Sequence, residues 1–207
     1  MQNILTLTDW RRRVAELYAE VRRVAGTDPA DACELFRTRR DALFASHPQT
    51  PLDANQLEHF SGVPYYAHDG QWRTVGTVDW DVPHKTFSVE LGSDGLFTYE
   101  RRGRVDFTLR GQATSLYIYW IRAYGGGIFL PFQDATNGDT TYGGGRYLFD
   151  TIKGADLGGN ERELVLDFNF AYNPSCAYNS QWICPLSPPE NQLSFAVTAG
   201  EKVWTDQ

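Results

Sequence analysis

The hydrophobic period of this chain changes once, near residue 60, and that change restricts the folds open to it. Before it, Trp10, Val14, Leu17, Tyr18 and Val21 fall at helical spacing, with Thr8 or Asp9 available as a cap and Gly26 as a stop. Asp28 and Pro29 then read as N-cap and first residue of a second helix, with Asp31 in its first turn. Ala32, Leu35, Phe36, Leu43 and Phe44 form its apolar side, and Pro48 closes it. After residue 60 the period is two. Residues 87–91 alternate. Residues 96–109 read as a hairpin turning near Arg101, Arg102 and Gly103, with Val105, Phe107 and Leu109 inward. Residues 116–124 (LYIYWIRAY) are apolar on both sides, as in a central strand buried on two faces. Segments 128–132, 146–152, 163–172 and 193–198 complete the expected strands. Short strands between Gly-rich turns predict a mainly β chain, α+β overall: an antiparallel β-sandwich or barrel with the two N-terminal helices packed on it. One domain is expected over 1–207, made of a helical pair at 8–46 and a β domain from 60 to 207.

Composition excludes several functions. With 42% hydrophobic and 14% aromatic residues in 207, a core forms readily and disorder is disfavoured. A net charge of −7 argues against nucleic-acid partners, which need a basic footprint. The helical pair holds eight arginines (Arg11, Arg12, Arg13, Arg22, Arg23, Arg37, Arg39, Arg40), but seven carboxylates offset them, so a solvated face is expected. No apolar run is long enough to span a membrane, and the start MQNILTLTDW has no secretory pattern. The expectation is a cytoplasmic protein with reduced thiols.

The chemistry concentrates in residues 167–191, DFNFAYNPSCAYNSQWICPLSPPEN. Read as one continuous strand, 163–173 places Leu164, Leu166, Phe168, Phe170 and Tyr172 on a core face. Asp167, Asn169 and Asn173 lie on the other, as a pocket wall able to donate and accept hydrogen bonds or as a polar rim. Cys176 and Cys184 leave four readings open: a disulfide, a metal site short of ligands, a reactive thiol, or two packed small hydrophobes. Cys33 reads as packed in the second helix. The segment PFQDATNGDTTYGGGRYL lacks the Lys-Ser/Thr and helix of a phosphate loop and the spacing of a calcium loop, so a tight turn is expected. Arg146 follows three glycines, where a ligand or another backbone can approach. It suits capture of an anion, or an internal salt bridge to Asp134 or Asp167. None of the four histidines shares a motif with another; His47 suits the C-terminus of a helix.

These stretches, PFQDATNGDTTYGGGRYL, LVLDFNFAYNPSCAYNSQWICPLSPPENQL and AGEK, with WRRRVAELY and RRDALFASHPQTPL, resemble the bacterial and archaeal family known as domain of unknown function 1684. The resemblance implies a single-domain, β-rich protein with an N-terminal helical part, and it implies no activity. Matching positions include Asp134, Thr136, Gly138, Thr141, Tyr142, Gly145, Arg146, Asp167, Asn169, Asn173, Pro174, Cys176, Cys184, Pro185, Glu190 and Asn191.

The functional expectation is a pocket for a small polar or anionic ligand, with turnover as an open question. Arg146 would clamp the anion, Asn169 and Asn173 would orient the ligand, and Tyr142 would stack on it or donate to it. Asp134 or Asp167 would fix Arg146 or act as general base, and Cys176 would be the nucleophile of covalent chemistry. No metal ligand set or cofactor motif is legible. The alternatives are a non-catalytic binding module with a structural Cys176/Cys184 pair, and an interaction protein using the helices or aromatics such as Trp182.

Overall fold

Asn3 sets the first helix. Its Oδ1 accepts the Leu5 N–H (3.0 Å), so α1 (Ile4–Ala25) begins before the expected caps at Thr8 and Asp9. Asp28 caps α2 (Pro29–Ser46) by accepting from Ala30 and Asp31, with Pro29 in the first turn as expected. A third helix, α3 (Ala54–His59), was not legible in the apolar pattern. A reciprocal capping box between Asp53 and Gln56 holds it. The computed structural model describes residues 3–92, 95–122 and 124–205. No helix among them is long and apolar enough to cross a membrane.

Seven strands form one antiparallel sheet: β1 (Arg73–Asp79), β2 (Lys85–Glu90), β3 (Leu96–Leu109), β4 (Gln112–Ile121), β5 (Gly127–Phe132), β6 (Arg146–Asp150) and β7 (Glu163–Asp167). The order is β6-β5-β4-β3-β1-β7, with β2 also paired to β3. The sheet curls into a half-barrel that carries the N-terminal helices, giving a mixed α+β fold that is mostly sheet. Beyond β7, Tyr172 makes an isolated antiparallel bridge to Tyr147 of β6.

The expected hairpin at 96–109 is instead one long strand. Arg101, Arg102 and Gly103 make a bulge in it: Arg101 pairs with Tyr119 and Gly103 with Ile118. The extra residue reverses the alternation. Tyr99, opposite Ile121, therefore faces one core, while Val105, opposite Leu116, faces another. The same reversal explains the two-sided apolar pattern of β4. Leu116 and Ile118 join the larger core with α1, α2, Phe132, Phe168 and Phe170; Tyr119 and Ile121 join Tyr99, Phe129 and Tyr147 on the opposite face. Each fully buried phenylalanine contributes about 1.5–3 kcal/mol. Trp120, at the end of β4, remains 42% exposed.

Two expected strands are shorter or missing. β7 stops at Asp167 because its carboxylate accepts the Asn169 N–H (3.0 Å) and starts a 3-10 turn, Phe168–Phe170. Segment 193–198 forms no strand. Leu193 and Val197 are buried, yet the Val197 carbonyl, with those of Ala199 and Glu201 just beyond the stretch, is taken by the Arg146 guanidinium. Strand β1, flanked by β3 and β7, was absent from the expected set.

Candidate functional site

The sequence left Arg146 as an anion clamp or as half of an internal salt bridge with Asp134 or Asp167, and its surroundings are those of the internal pair with Asp134. The residue is fully buried at the start of β6. Nη2 donates to Asp134 Oδ2 (2.8 Å) and Val197 O (3.0 Å); Nη1 donates to Glu201 O (3.1 Å) and Ala199 O. The guanidinium also lies 5.1 Å from the centroid of the Phe132 ring. Burial pushes its pKa down, and the Asp134 carboxylate works against that. Gly145, just before it, admits another backbone. Gly145 has φ +90, and a Cβ there would sit 2.6 Å from Phe132 O. Asp134 is equally committed. Its Oδ1 accepts from Thr136 N (2.8 Å), Thr136 Oγ1 (2.6 Å) and Val197 N (3.1 Å), so it is a buried knot in the 134–146 loop.

Asp167 and Asn169 form a second unit, apart from Arg146. Ending β7 at Asp167 breaks the strand face on which Asp167, Asn169 and Asn173 were expected to align. Asn169 exchanges two hydrogen bonds with the Asp69 backbone (3.1 and 3.0 Å) and donates to Asp167 Oδ1 (2.9 Å), so its carboxamide fastens a loop and orients no ligand. Asp167 lies 3.6 Å from Arg73 Nε. Burial nevertheless raises its pKa, against the hydrogen bonds from Asn169 and the charge of Arg73.

The third group does come together. Pro174 leads into a 3-10 turn, Ser175–Ala177, and a second turn in which Trp182 N donates to Asn179 O (3.2 Å) folds the chain back. This brings Cys184 to Cys176. Both thiols are free and partly exposed, and each perturbs the other's ionisation. Tyr142 Oη lies 3.5 Å from Cys176 Sγ. The hydrogen bonds from Cys184 and then Tyr142 outweigh burial and bring the Cys176 thiol down to about 6; the same contact, with burial, pushes Cys184 up.

Cys184 lines a cleft of about 80 Å³ together with Asn173, Tyr18, Arg40, Lys153 and Tyr178, between the helical pair and the 172–184 segment. Asn173 is buried. Its backbone N–H donates to Glu201 Oε2 (2.7 Å) and its Nδ2 to Lys202 O (2.8 Å), while its Oδ1 has no partner among the described residues. Arg40 was expected on a solvated face but points inward. Its Nε lies 2.5 Å from Glu201 Oε1, and its guanidinium stacks on Phe44 (4.5 Å) and Tyr172 (5.2 Å). Glu201, fully buried, also accepts from Tyr178 Oη (2.5 Å). Burial raises the phenols of Tyr18, Tyr172 and Tyr178, so all three are neutral donors. Glu201 was visible in the sequence only within the AGEK match, and Arg40 only as one of eight helix arginines.

Other features have local roles. His47 donates from Nε2 to Asp9 Oδ2 (3.2 Å) and accepts the Gln49 N–H at Nδ1 (3.1 Å), tying the end of α2 to α1. Trp182 Nε1 donates to Pro51 O (3.2 Å). Larger open clefts lie beside His59 and Lys202 (about 340 Å³) and between Trp80 and Trp120 (about 470 Å³). Neither contains the cysteines or a buried acceptor left without a partner. Among the described residues no three His, Cys, Asp or Glu side chains are grouped to hold a metal.

Fold and site together define a class: an antiparallel half-barrel with N-terminal helices and a thiol pair at its seam. Residues 58–202 match the family described as "Protein of unknown function (DUF1684)", and the chain belongs to that family. It is similar to an uncharacterized protein of Haloarcula marismortui whose structure was solved by solution NMR. The two are 32% identical over 80% of this chain and 89% of that one, with a TM-score of 0.57. No curated protein matches the chain.

Proposed function

We propose that the protein binds a small polar ligand in the cleft between the helical pair and the 172–184 segment, with Cys184 in its wall and Cys176 behind it as the reactive thiol. The observation that carries this is Asn173 Oδ1, a buried acceptor without a partner in a wall shared with Cys184. An unmet buried acceptor costs about 1–3 kcal/mol, and a ligand donor recovers it. The space suits a compact molecule: a single water needs roughly 10–15 Å³ measured in this way, and the cleft offers about 80 Å³. Arg40 is taken up by Glu201 and Lys153 lies 3.6 Å from Asp150 in the same wall, so the cleft suits a polar ligand without a strong net charge, and the neutral tyrosines supply aromatic contact. In this reading Asn173 orients the ligand, Cys176 is the nucleophile, and Tyr142 acts on Cys176 rather than on the ligand.

The test is ligand-observed NMR against a panel of small polar compounds, on wild type and on Asn173→Ala, with circular dichroism to verify folding. Saturable binding that weakens about tenfold or more in the folded variant supports the reading, as loss of one buried hydrogen bond requires. Lack of binding across the panel, or binding indifferent to Asn173→Ala, refutes it. Incubating any bound compound with the protein then separates turnover from simple binding.

A further inference from the structure

We propose that Cys176 and Cys184 form a dithiol–disulfide exchange site, in which Cys176 attacks a small organic disulfide and Cys184 resolves the adduct. This names a substrate class for the cleft and in that respect rests on the binding reading above. Three observations lead to it. Two backbone turns, Tyr178 N–H to Ser175 O (3.1 Å) and Trp182 N–H to Asn179 O (3.2 Å), fold the loop so that Cys184 returns to within interacting range of Cys176. Tyr142 Oη lies 3.5 Å from Cys176 Sγ, where a phenol donor stabilises a thiolate. Both sulfurs are partly exposed, with Cys184 opening on the cleft, whereas Cys33 is buried in α2 against Asn169 O (4.0 Å).

The two thiols are also unequal in the sense that exchange needs. Cys176 is brought down to about 6 and Cys184 is pushed up, so one is a thiolate at neutral pH and the other keeps its proton. The titratable groups around them are Tyr142, Tyr147 and Lys153, and burial holds both phenols in their neutral form.

The chemistry balances without a further reagent. The Cys176 thiolate attacks one sulfur of RSSR; the Cys176–SR bond forms, the RS–SR bond breaks, and RS⁻ leaves to take a proton from water. Cys184 then gives up its proton as its sulfur attacks Cys176 Sγ. The Cys176–Cys184 bond forms and the second thiol leaves. Two electrons pass from the protein dithiol to the disulfide, giving two RSH. Closure brings the two sulfurs to about 2.05 Å, with the Cβ atoms about 3.5–4.5 Å apart.

The experiment treats the reduced full chain with bis(2-hydroxyethyl) disulfide and reads products by mass spectrometry. Wild type should lose two hydrogens, with an intramolecular Cys176–Cys184 link in its peptides. Cys184→Ser should stop at a mixed disulfide on Cys176, and Cys176→Ser should form neither product. Cys33 should stay unmodified in all three. Thiolate fraction and the accompanying fall in nucleophilicity together predict that Cys176 reacts about fourfold faster than an ordinary thiol at pH 7 and about twentyfold faster at pH 6. Failure of Cys184→Ser to trap the probe on Cys176, or a wild type that halts at the mixed disulfide, overturns the proposal. The two readings can fail separately. Exchange unaffected by Asn173→Ala would sink the cleft reading and leave exchange standing; a panel ligand bound beside inert thiols would do the reverse.

Discussion

Replacing Asp134 by alanine should be among the most damaging single changes in this chain. Arg146 has zero exposure, and its only ion pair among the described residues is the 2.8 Å contact to Asp134. The substitution leaves that guanidinium buried without a counter-charge and strands the donors of Thr136 and Val197. Removing one partner of a buried pair costs about 3–5 kcal/mol. For a chain of this size each kcal/mol moves Tm by about 2–4 °C, so a fall of roughly 10–15 °C is expected. Urea and thermal unfolding of Asp134→Ala, Arg146→Met and the double variant measure it. Since Arg146→Met removes the charge that Asp134→Ala would orphan, the double variant should lose less than the sum of the singles, by about 2–3 kcal/mol. A loss below about 1 kcal/mol in Asp134→Ala, or strict additivity, would refute the internal strut. So would phosphate that stabilises wild type far more than Arg146→Met, because that would restore Arg146 as an anion clamp.

Two further outcomes follow from backbone and charge. Gly200 has φ +74, and a Cβ there would lie 2.6 Å from Ala171 O; Gly200→Ala should cost about 2–3 kcal/mol, and a change under 1 kcal/mol in urea midpoint would refute the close approach. Asp167 has its folded pKa raised above 3.8 by burial, so the native state holds its proton more tightly than the unfolded chain. Its contribution is fully present below 3.8 and is lost as pH rises through the folded value. Asp167→Asn should therefore gain stability relative to wild type across that rise, and parallel urea midpoints for the two proteins from pH 3.5 to 7 would contradict it.

Much of the fold was legible because it depends on local pattern. Asp28 and Pro29 start α2 where expected, Cys33 is packed inside it, and Val105, Phe107 and Leu109 face the core. The misreadings share a cause. Arg101, Arg102 and Gly103 look like a turn, yet they are a bulge, and only the partner strands β1, β2 and β4 distinguish the two. Residues 163–172 alternate cleanly, yet Asp167 caps a turn at their middle. At the candidate site the sequence singled out Arg146, Asp134, Asp167 and Asn169, but their roles depend on which backbone lies opposite. The carbonyls of Val197, Ala199 and Glu201 take up Arg146 from more than fifty residues away.

By itself, then, the sequence determined the helical pair, the predominance of β structure, the two-sided burial of β4 and the family, since each follows from periodicity or from contiguous motifs. Tertiary structure alone decided that the sheet is one curled half-barrel, that Arg146 faces backbone carbonyls rather than a ligand, and that Arg40 turns inward to Glu201. It also decided that Cys176 and Cys184 meet beside Tyr142. The physical reason is that a buried charge or thiol takes its chemistry from its nearest polar neighbours, and here those neighbours come from distant parts of the chain.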